Sequence, residues 1–129
     1  MRRVEKPWGH ELIWAVTDRY VGKVLHINAG ARLSMQVHEL KQESWYLIAG
    51  RAKAVLETAA GDLLETELRP NAGYSCVPGQ KHRLIAITDC DIVEVSTPEQ
   101  GVTWRLEDDY ARPHETDAQR ARERGEAAG

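Results

Sequence analysis

The stretch that decides the fold is residues 33–57, LSMQVHELKQESWYLIAGRAKAVLE. It contains three short runs with many apolar and aromatic side chains, at 33–38, 43–49 and 52–57. A turn at Gly50 separates the second run from the third, and each run is shorter than a typical helix of about ten residues. The stretch therefore predicts antiparallel strands joined by tight connections.

The same pattern of short runs and turns extends in both directions along the chain. Glycine, proline, asparagine or aspartate separates successive runs, as at Asn28-Ala29-Gly30, Ala60-Gly61-Asp62 and Pro78-Gly79. Ten strands are predicted, at 11–16, 20–28, 33–38, 43–49, 52–57, 63–68, 74–77, 82–87, 91–96 and 102–107. This spacing is typical of an all-β sandwich or barrel with helices only at its periphery.

The composition changes after residue 112. Residues 113–129 are rich in alanine, arginine and glutamate and show no apolar periodicity, so no face of this segment requires burial. We expect one domain at 1–112, followed by a charged tail at 113–129 that is disordered or forms a short solvated helix from about Thr116.

Length and charge restrict the class of protein. A chain of 129 residues suits a single domain, and a net charge of -3 disfavours a nucleic-acid-binding protein. No apolar run approaches the roughly 20 residues of a membrane span, and no apolar stretch follows the two N-terminal arginines. Cys76 and Cys90 are interpreted as small buried apolar residues in a reducing compartment. The sequence thus predicts a cytoplasmic protein without membrane or nucleic-acid partners.

A set of metal-binding side chains follows from the strand pattern. Alternation in 33–38 places Gln36 and His38 on one strand face, and Glu43 begins the next strand beyond a short turn. His82 follows the Pro78-Gly79 turn, which can aim its imidazole inward. Two imidazoles, a carboxylate and an amide oxygen suit one divalent ion, with zinc as the first candidate and manganese, iron, nickel or cobalt as alternatives.

Lys23 is the candidate catalytic residue on the neighbouring strand. It shares a strand face with apolar residues that should point inward, where desolvation lowers the pKa of a lysine. We expect Lys23 to carry a proton or to stabilise negative charge in the cavity. The alternative is a lysine whose ammonium reaches solvent at the end of the strand.

Other side chains receive weaker assignments. If Glu43 faces inward, Trp45 lines the cavity and Tyr46 packs on the opposite side. The apolar set Leu33, Met35 and Val37 is expected to face outward, which predicts a homodimer that buries it. The remaining charged and histidine side chains are expected to be solvated at the surface or near the cavity mouth; they are His10, His26, His114, Lys41, Lys81, Arg83 and Glu94.

The spacing of these residues resembles the two cupin motifs. The first motif is Gly30, Gln36-Val37-His38, Glu43 and Gly50, and the second is Gly79-Gln80-Lys81-His82. Gln36 stands where cupins commonly have a histidine, and this glutamine is similar to the metal site of phosphomannose isomerases. Similarity to the isomerase domain of bifunctional guanylyltransferase/phosphomannose isomerases extends to Lys6-Pro7-Trp8-Gly9, to the metal strand at 31–38, and to the segments 78–83 and 106–112.

The resemblance implies a single cupin jelly-roll β-barrel that binds a small molecule. It implies a metal-dependent sugar or sugar-phosphate isomerase that moves a proton between C1 and C2 through an enediol. Arg112 matches the arginine of the family's Tyr-Gly-Arg segment, here Tyr110-Ala111-Arg112, and by this match serves the active site; the alternative is a solvated charge beside Asp108 and Asp109. A metal-dependent cupin oxygenase and a non-catalytic carbohydrate-binding cupin are the alternative functions.

Overall fold

The computed structural model describes residues 1–125. They form eleven strands and one short helix: β1 (Arg2–Lys6), β2 (Gly9–Val16), β3 (Val21–Ile27), β4 (Met35–His38), β5 (Glu43–Ala49), β6 (Ala52–Glu57), β7 (Leu63–Glu67), β8 (Gly73–Cys76), β9 (His82–Ala86), β10 (Cys90–Ser96), β11 (Thr103–Glu107) and α1 (Asp117–Glu123).

The strands form two antiparallel sheets that lie face to face. The six-stranded sheet has the order β1-β2-β3-β10-β5-β8, and the five-stranded sheet has the order β11-β4-β9-β6-β7. The chain crosses repeatedly between the sheets, as a jelly roll does. The predicted all-β jelly roll is therefore confirmed, although its two sheets form a sandwich and do not close into a barrel by hydrogen bonds.

Residues on the inner faces of both sheets form the core. Ile27 and Ile92 from one sheet and Leu84 from the other are almost completely buried. Cys76 and Cys90 are buried free thiols in the same core, as the sequence predicts. Burial of such side chains is the main favourable term in the stability of a small domain.

The turn predicted at Gly50 is present and requires glycine. Gly50 has a φ of +77°, and a Cβ atom at this position would lie 2.0 Å from the carbonyl oxygen of Asp89. A side chain here would meet both a strained backbone conformation and a steric clash. The close approach joins the β5–β6 connection to the start of β10.

Strand β1 is absent from the sequence prediction. Its sequence, RRVEK, is mostly charged, and only Val4 is buried. Val4 packs with Ile13 and Val21 in a small second cluster at the edge of the six-stranded sheet. An edge strand with one buried side chain carries too little apolar alternation to be recognised in a sequence.

The segment after residue 112 packs against the sheets. Thr116 caps α1, close to the predicted start of a helix, and Glu115 pairs with Thr103 through two backbone hydrogen bonds of 2.8 Å. Arg120 is buried, so the helix is not simply solvated. The domain boundary at 112 stays a prediction, and residues 126–129 of the predicted tail lie outside the described residues.

Within residues 1–125, no helix has the length and apolar character needed to cross a membrane.

The apolar set expected to support a homodimer is largely covered within one chain. Met35 is only 7% exposed, and Leu33 packs against the main core. Val37 is half-buried and lies opposite Trp104 in the β4–β11 ladder. The expectation of an exposed apolar set is therefore wrong for Leu33 and Met35, and the homodimer stays a prediction.

Candidate metal centre

Three strands bring His38, Glu43 and His82 together inside the sandwich. His38 is the last residue of β4, Glu43 is the first of β5, and His82 is the first of β9. Glu43 Oε1 lies 3.4 Å from His38 Nε2 and 3.0 Å from His82 Nε2, and the two Nε2 atoms are 3.1 Å apart. All three side chains are buried.

Hydrogen bonds at the Nδ1 atoms of His38 and His82 direct the Nε2 lone pairs of both rings toward Glu43. His82 Nδ1 lies 2.9 Å from the carbonyl oxygen of Gln80, so Nδ1 carries the proton of a neutral ring and Nε2 presents its lone pair. His38 Nδ1 lies 2.7 Å from Thr103 Oγ1, and burial lowers the pKa of His38, which favours its neutral form. Buried lone pairs of two imidazoles and a carboxylate at this spacing favour a cation between them.

The spacing fits a divalent ion. With ligand bonds of about 2.0 to 2.2 Å, neighbouring donors around one ion lie about 3 to 3.5 Å apart, as these three atoms do. Gln36 lines the same cavity and lies opposite His82 in the β4–β9 ladder, while its amide nitrogen donates to the Ser34 carbonyl at 3.4 Å. The structure therefore has a His/Glu/His metal-type site, and the ligand set with Gln36 stays a proposal.

Lys41 keeps the central carboxylate ionised. Its Nζ lies 3.0 Å from Glu43 Oε2. Burial alone would raise the pKa of Glu43, but Lys41 and the neighbouring His38 and His82 rings outweigh burial and hold that pKa well below its usual range. The candidate ligand is thus an anion, which is the form that binds a metal.

A cavity opens above the three donors, and charged side chains line it. Among residues 1–125, six cationic and five acidic side chains contribute to its wall. These are Lys6, Lys23, Lys41, Arg105, Arg112 and Arg124, with Glu11, Glu43, Glu94, Glu99 and Glu115. Trp45 also lines the cavity and is 2% exposed, while Tyr46 faces outward, as the strand alternation predicts.

Lys23 lies in the cavity wall, but its protonation differs from the expectation. Its Nζ lies 2.9 Å from Glu99 Oε2 and 3.2 Å from Glu11 Oε2. The Lys23 side chain is only 4% exposed, so its ammonium does not extend into solvent. Burial lowers the pKa of Lys23, but Glu11 and Glu99 outweigh burial and raise the pKa above its usual value. The expectation of a lowered pKa is wrong, because two carboxylates from distant segments surround this lysine.

Arg112 also contributes to the cavity wall. Its Nε and Nη2 donate to Asp108 at 2.9 and 3.2 Å, and its backbone N–H donates to Asp108 Oδ2 at 2.8 Å. The guanidinium also lies over the Tyr110 ring, 5.6 Å from its centroid. Arg112 is therefore held in place at the cavity, and its action on a substrate stays a proposal.

Glu94 is a buried acid that the sequence analysis expected to be solvated. It lies opposite Lys23 on β3 and opposite Trp45 on β5, at the centre of the inner face. Burial and the neighbouring Glu43 raise the pKa of Glu94 to about 7. Its place beside inward-facing Ile92 and Ser96 in the β10 alternation is the sequence signal that would have identified it.

The other expectations concern charged and histidine side chains. Lys41 belongs to the cavity, whereas Arg83 is buried outside it and donates to the Leu33 carbonyl and to Glu107. Lys81 and His114 are exposed, as predicted. His10 and His26 lie half-buried on the outer face, where their rings stack with centroids 4.9 Å apart.

Sequence reasoning missed the carboxylates and guanidinium that surround Lys23. Glu11, Glu99 and Arg124 come from β2, from the connection before β11 and from the end of α1. Only Glu11 has a local signal, since it alternates with the buried Ile13. The other two are identified only by the folded structure.

Comparison with known proteins agrees with this geometry. Residues 1–112 match the family described as "Mannose-6-phosphate isomerase C-terminal". ManC, a mannose-1-phosphate guanylyltransferase of Salmonella typhimurium strain LT2, is 30% identical over 118 residues, which are 86% of this chain and 23% of that protein. The mannose-1-phosphate guanylyltransferase of Escherichia coli K12 is 36% identical over 56 residues, which are 43% of this chain and 12% of that protein.

Solved structures show the same fold at low sequence identity. KdgF from Halomonas sp. has a TM-score of 0.66 and 18% identity, with 78% of this chain and 88% of that chain covered. Oxalate decarboxylase from Bacillus subtilis has a TM-score of 0.69 and 14% identity, with 81% of this chain and 30% of that chain covered.

The family match covers both metal motifs, the entry segment and the stretch through Arg112, so it includes every side chain on which the resemblance was based. The chain spans about a quarter or less of the two curated relatives. With its jelly-roll fold and its His/Glu/His site, the chain belongs to the mannose-6-phosphate isomerase C-terminal family of cupin domains.

Proposed function

We propose that this protein is a metal-dependent isomerase of a sugar or sugar phosphate. The observation that carries the proposal is the convergence of His38, Glu43 and His82 at the base of a charged cavity within a chain of this family. Such an isomerase needs a site that orients adjacent oxygens and a group that moves a proton between two carbons.

The metal site consists of His38, Glu43 and His82, with Gln36 as the fourth ligand. Zinc is the first candidate, because a mixed set of nitrogen and oxygen donors suits it, and manganese, iron, nickel or cobalt are alternatives. A bound divalent ion supplies Lewis-acid polarisation of the carbonyl and of the adjacent hydroxyl group.

Glu94 is the proton-transferring group in this proposal. It is a buried carboxyl of the cavity wall, and in the metal-free chain burial and Glu43 raise its pKa to about 7, whereas the pKa values of Glu11, Glu43, Glu99 and Glu115 in the same wall are lowered. Lys23 lies opposite it in the β3–β10 ladder and stays cationic. Its role is to stabilise the negative charge that develops on the substrate oxygens.

Trp45 and Arg112 bind the substrate in this proposal. The Trp45 indole Nε1 is buried and has no hydrogen-bond partner within residues 1–125, so it suits a sugar hydroxyl as acceptor. Arg112, held by Asp108, presents a fixed cation at the wall of the same cavity.

The test is metal analysis of the purified protein, followed by an isomerisation screen over hexose and pentose phosphates and the free sugars. We expect about one divalent ion per chain. We also expect aldose-to-ketose conversion that stops when a chelator removes the ion and returns when the ion is restored. Exchange of the substrate C2 proton with deuterated solvent would identify the enediol route.

Glu94→Gln provides the sharper test of the mechanism. It should retain the metal and reduce turnover by about a hundredfold or more, the scale of a lost acid/base group. Glu65→Gln on exposed β7 is the matched control and should change nothing. Oxygen uptake by the iron-loaded protein would favour the oxygenase, and tight sugar binding without turnover would favour the binding cupin.

A further inference from the structure

Thr103 begins the edge strand β11 and lies opposite His38 in the β4–β11 ladder. The residue is buried, at 6% exposure, and its side chain contributes to the cavity wall. The sequence analysis assigned it no role. Its position places a hydroxyl group beside one of the three candidate metal ligands.

The Thr103 hydroxyl is the contact that orients the His38 ring. Its Oγ1 lies 2.7 Å from His38 Nδ1, and within residues 1–125 that oxygen has no other hydrogen-bond partner. When Nε2 binds a metal ion, the proton of the neutral ring is on Nδ1, which then donates to Oγ1. A buried Nδ1–H group without an acceptor is costly, so the hydroxyl favours the form of His38 that binds the ion.

The two histidines of the site are held in different ways. His82 Nδ1 lies 2.9 Å from the backbone carbonyl oxygen of Gln80, in the turn that precedes β9. His38 depends instead on a side chain from another strand. The orientation of His38 is therefore set by the identity of residue 103 and by the contacts that fix the backbone of that residue.

The chain beyond the family match fixes the backbone of Thr103. The Thr103 N–H donates to the carbonyl oxygen of Glu115, and the Thr103 carbonyl accepts from the Glu115 N–H, both at 2.8 Å. Because β11 is the outer strand of its sheet, this bridge stands where a neighbouring strand would pair. The Glu115 side chain is held in turn by Arg105 and Arg120, at 3.3 and 3.2 Å. The family match ends at residue 112, so it does not include this bridge.

We propose that Thr103 is a positioning residue for the metal site, held in place by its backbone bridge to Glu115. Its hydroxyl fixes the orientation and the tautomer in which His38 binds the ion, so the segment beyond the family match raises the metal affinity through a ligand that it does not itself contact. This inference rests on the metal site of the proposed function and is independent of the isomerase reaction and of its substrate.

The experiment measures the zinc affinity of the full chain by competition with a chromophoric chelator. Thr103→Val keeps the shape of the side chain and removes the acceptor, so it should weaken zinc binding by about 10- to 100-fold, the usual effect of losing the hydrogen-bond partner of a ligating histidine. Thr103→Ser restores the hydroxyl and should recover most of the affinity. Thr66→Val is the matched control on β7, because Thr66 is half-buried outside the cavity, and it should bind zinc as the wild type does.

Nuclear magnetic resonance of the zinc-loaded protein separates positioning from a general effect on folding. In the wild type and in Thr103→Ser, the hydrogen-bonded Nδ1 proton of His38 should resonate downfield of its position in Thr103→Val, where the acceptor is missing. The Nδ1 proton of His82 is the internal reference, since the Gln80 carbonyl holds it, and its resonance should not move.

Two substitutions of Glu115 test the bridge. Alanine and proline both remove the carboxylate, but only proline also removes the N–H that donates to the Thr103 carbonyl. Glu115→Pro should therefore bind zinc several-fold more weakly than Glu115→Ala. Thermal unfolding checks that each variant folds. If Glu115→Pro does not fold, hydrogen exchange of the wild-type Thr103 amide tests the same bridge: the amide should be protected, and an unprotected amide would refute the role of Glu115.

Equal zinc affinity in the wild type and in folded Thr103→Val would overturn the proposal, as would a Thr103→Ser variant that binds no better than Thr103→Val. Equal affinity in folded Glu115→Pro and Glu115→Ala would refute the bridge. A wild type that binds no divalent ion would refute the metal site of the proposed function and this inference with it. Zinc binding that depends on Thr103 in a protein without isomerase activity would support the positioning role while refuting the isomerase.

Discussion

Ala111 shows how a single backbone conformation affects the site. Its φ of 52° lies in the left-handed region, where Ala111 is alone among the non-glycine residues of 1–125. The related Tyr-Gly-Arg segment has glycine here, which adopts this conformation without a steric penalty. The turn that positions Arg112 beside the cavity therefore contains local strain in this chain.

Ala111→Gly should stabilise the protein by about 0.5 kcal/mol, since relief of roughly 1 kcal/mol of left-handed strain exceeds the entropy that glycine adds to the unfolded chain. Urea unfolding measures the difference. Ala60→Gly, at an exposed turn residue without positive φ, is the control and should destabilise slightly. A loss of stability in Ala111→Gly would show that the left-handed turn is not strained.

His82 is the residue whose removal tests the metal site most directly. His82→Ala removes one of three converging donors and should eliminate most bound metal, whereas Gln36→Ala should cause only a moderate loss because a neutral amide oxygen is a weaker donor. Metal content by mass spectrometry gives the result. His26→Ala, on the outer face, should retain full metal content. Unchanged metal content in both His38→Ala and His82→Ala would rule out the assignment.

At the scale of the elements, strands with regular alternation were predictable and charged segments were not. The sequence predicts β5 and β6 with their observed bounds, because apolar residues alternate up to the required glycine turn. It misses β1, which has a single buried side chain. The site divides in the same way: His38, Glu43 and His82 follow from motif spacing, whereas Arg124 reaches the cavity by ion pairs that leave no periodic pattern.

The attachment of residues 113–125 gives a prediction at the same scale. Because ion pairs to Arg105, Arg120 and Arg124 hold it, salt should weaken its contacts. Amide hydrogens of α1 should exchange about twofold faster in about 0.5 M than in about 0.05 M sodium chloride, a small change because salt screens buried ion pairs less than surface pairs. Exchange in β5 and β10 is the internal control and should not change. Salt-independent exchange in α1 would show that other contacts hold this segment.

For the whole molecule, the buried charges couple stability to pH. Burial raises the pKa of Glu11, but Lys23, Lys6 and Arg124 outweigh burial and lower it, and Lys23 together with Lys41 lowers that of Glu99 in the same way. A carboxyl with a lowered folded-state pKa binds fewer protons in the folded protein than in the unfolded chain. Its contribution is complete above the ordinary glutamate pKa of about 4.3 and is lost as the pH falls through the folded value.

The free energy of unfolding of the metal-free protein should therefore fall steeply below about pH 4.3, and Glu11→Gln should make that fall shallower. Glu94 has a raised pKa, so it is protonated in the folded protein and mostly protonated in the unfolded chain in this acidic range, and it adds little slope there. Urea unfolding at several pH values between about 3 and 5 measures the slope. Glu65→Gln on exposed β7 should leave the slope unchanged. An identical pH dependence in Glu11→Gln and wild type would mean that the Glu11–Lys23 ion pair adds nothing to the acid dependence of folding, which would then come from Glu99, the carboxylate that pairs with both Lys23 and Arg124.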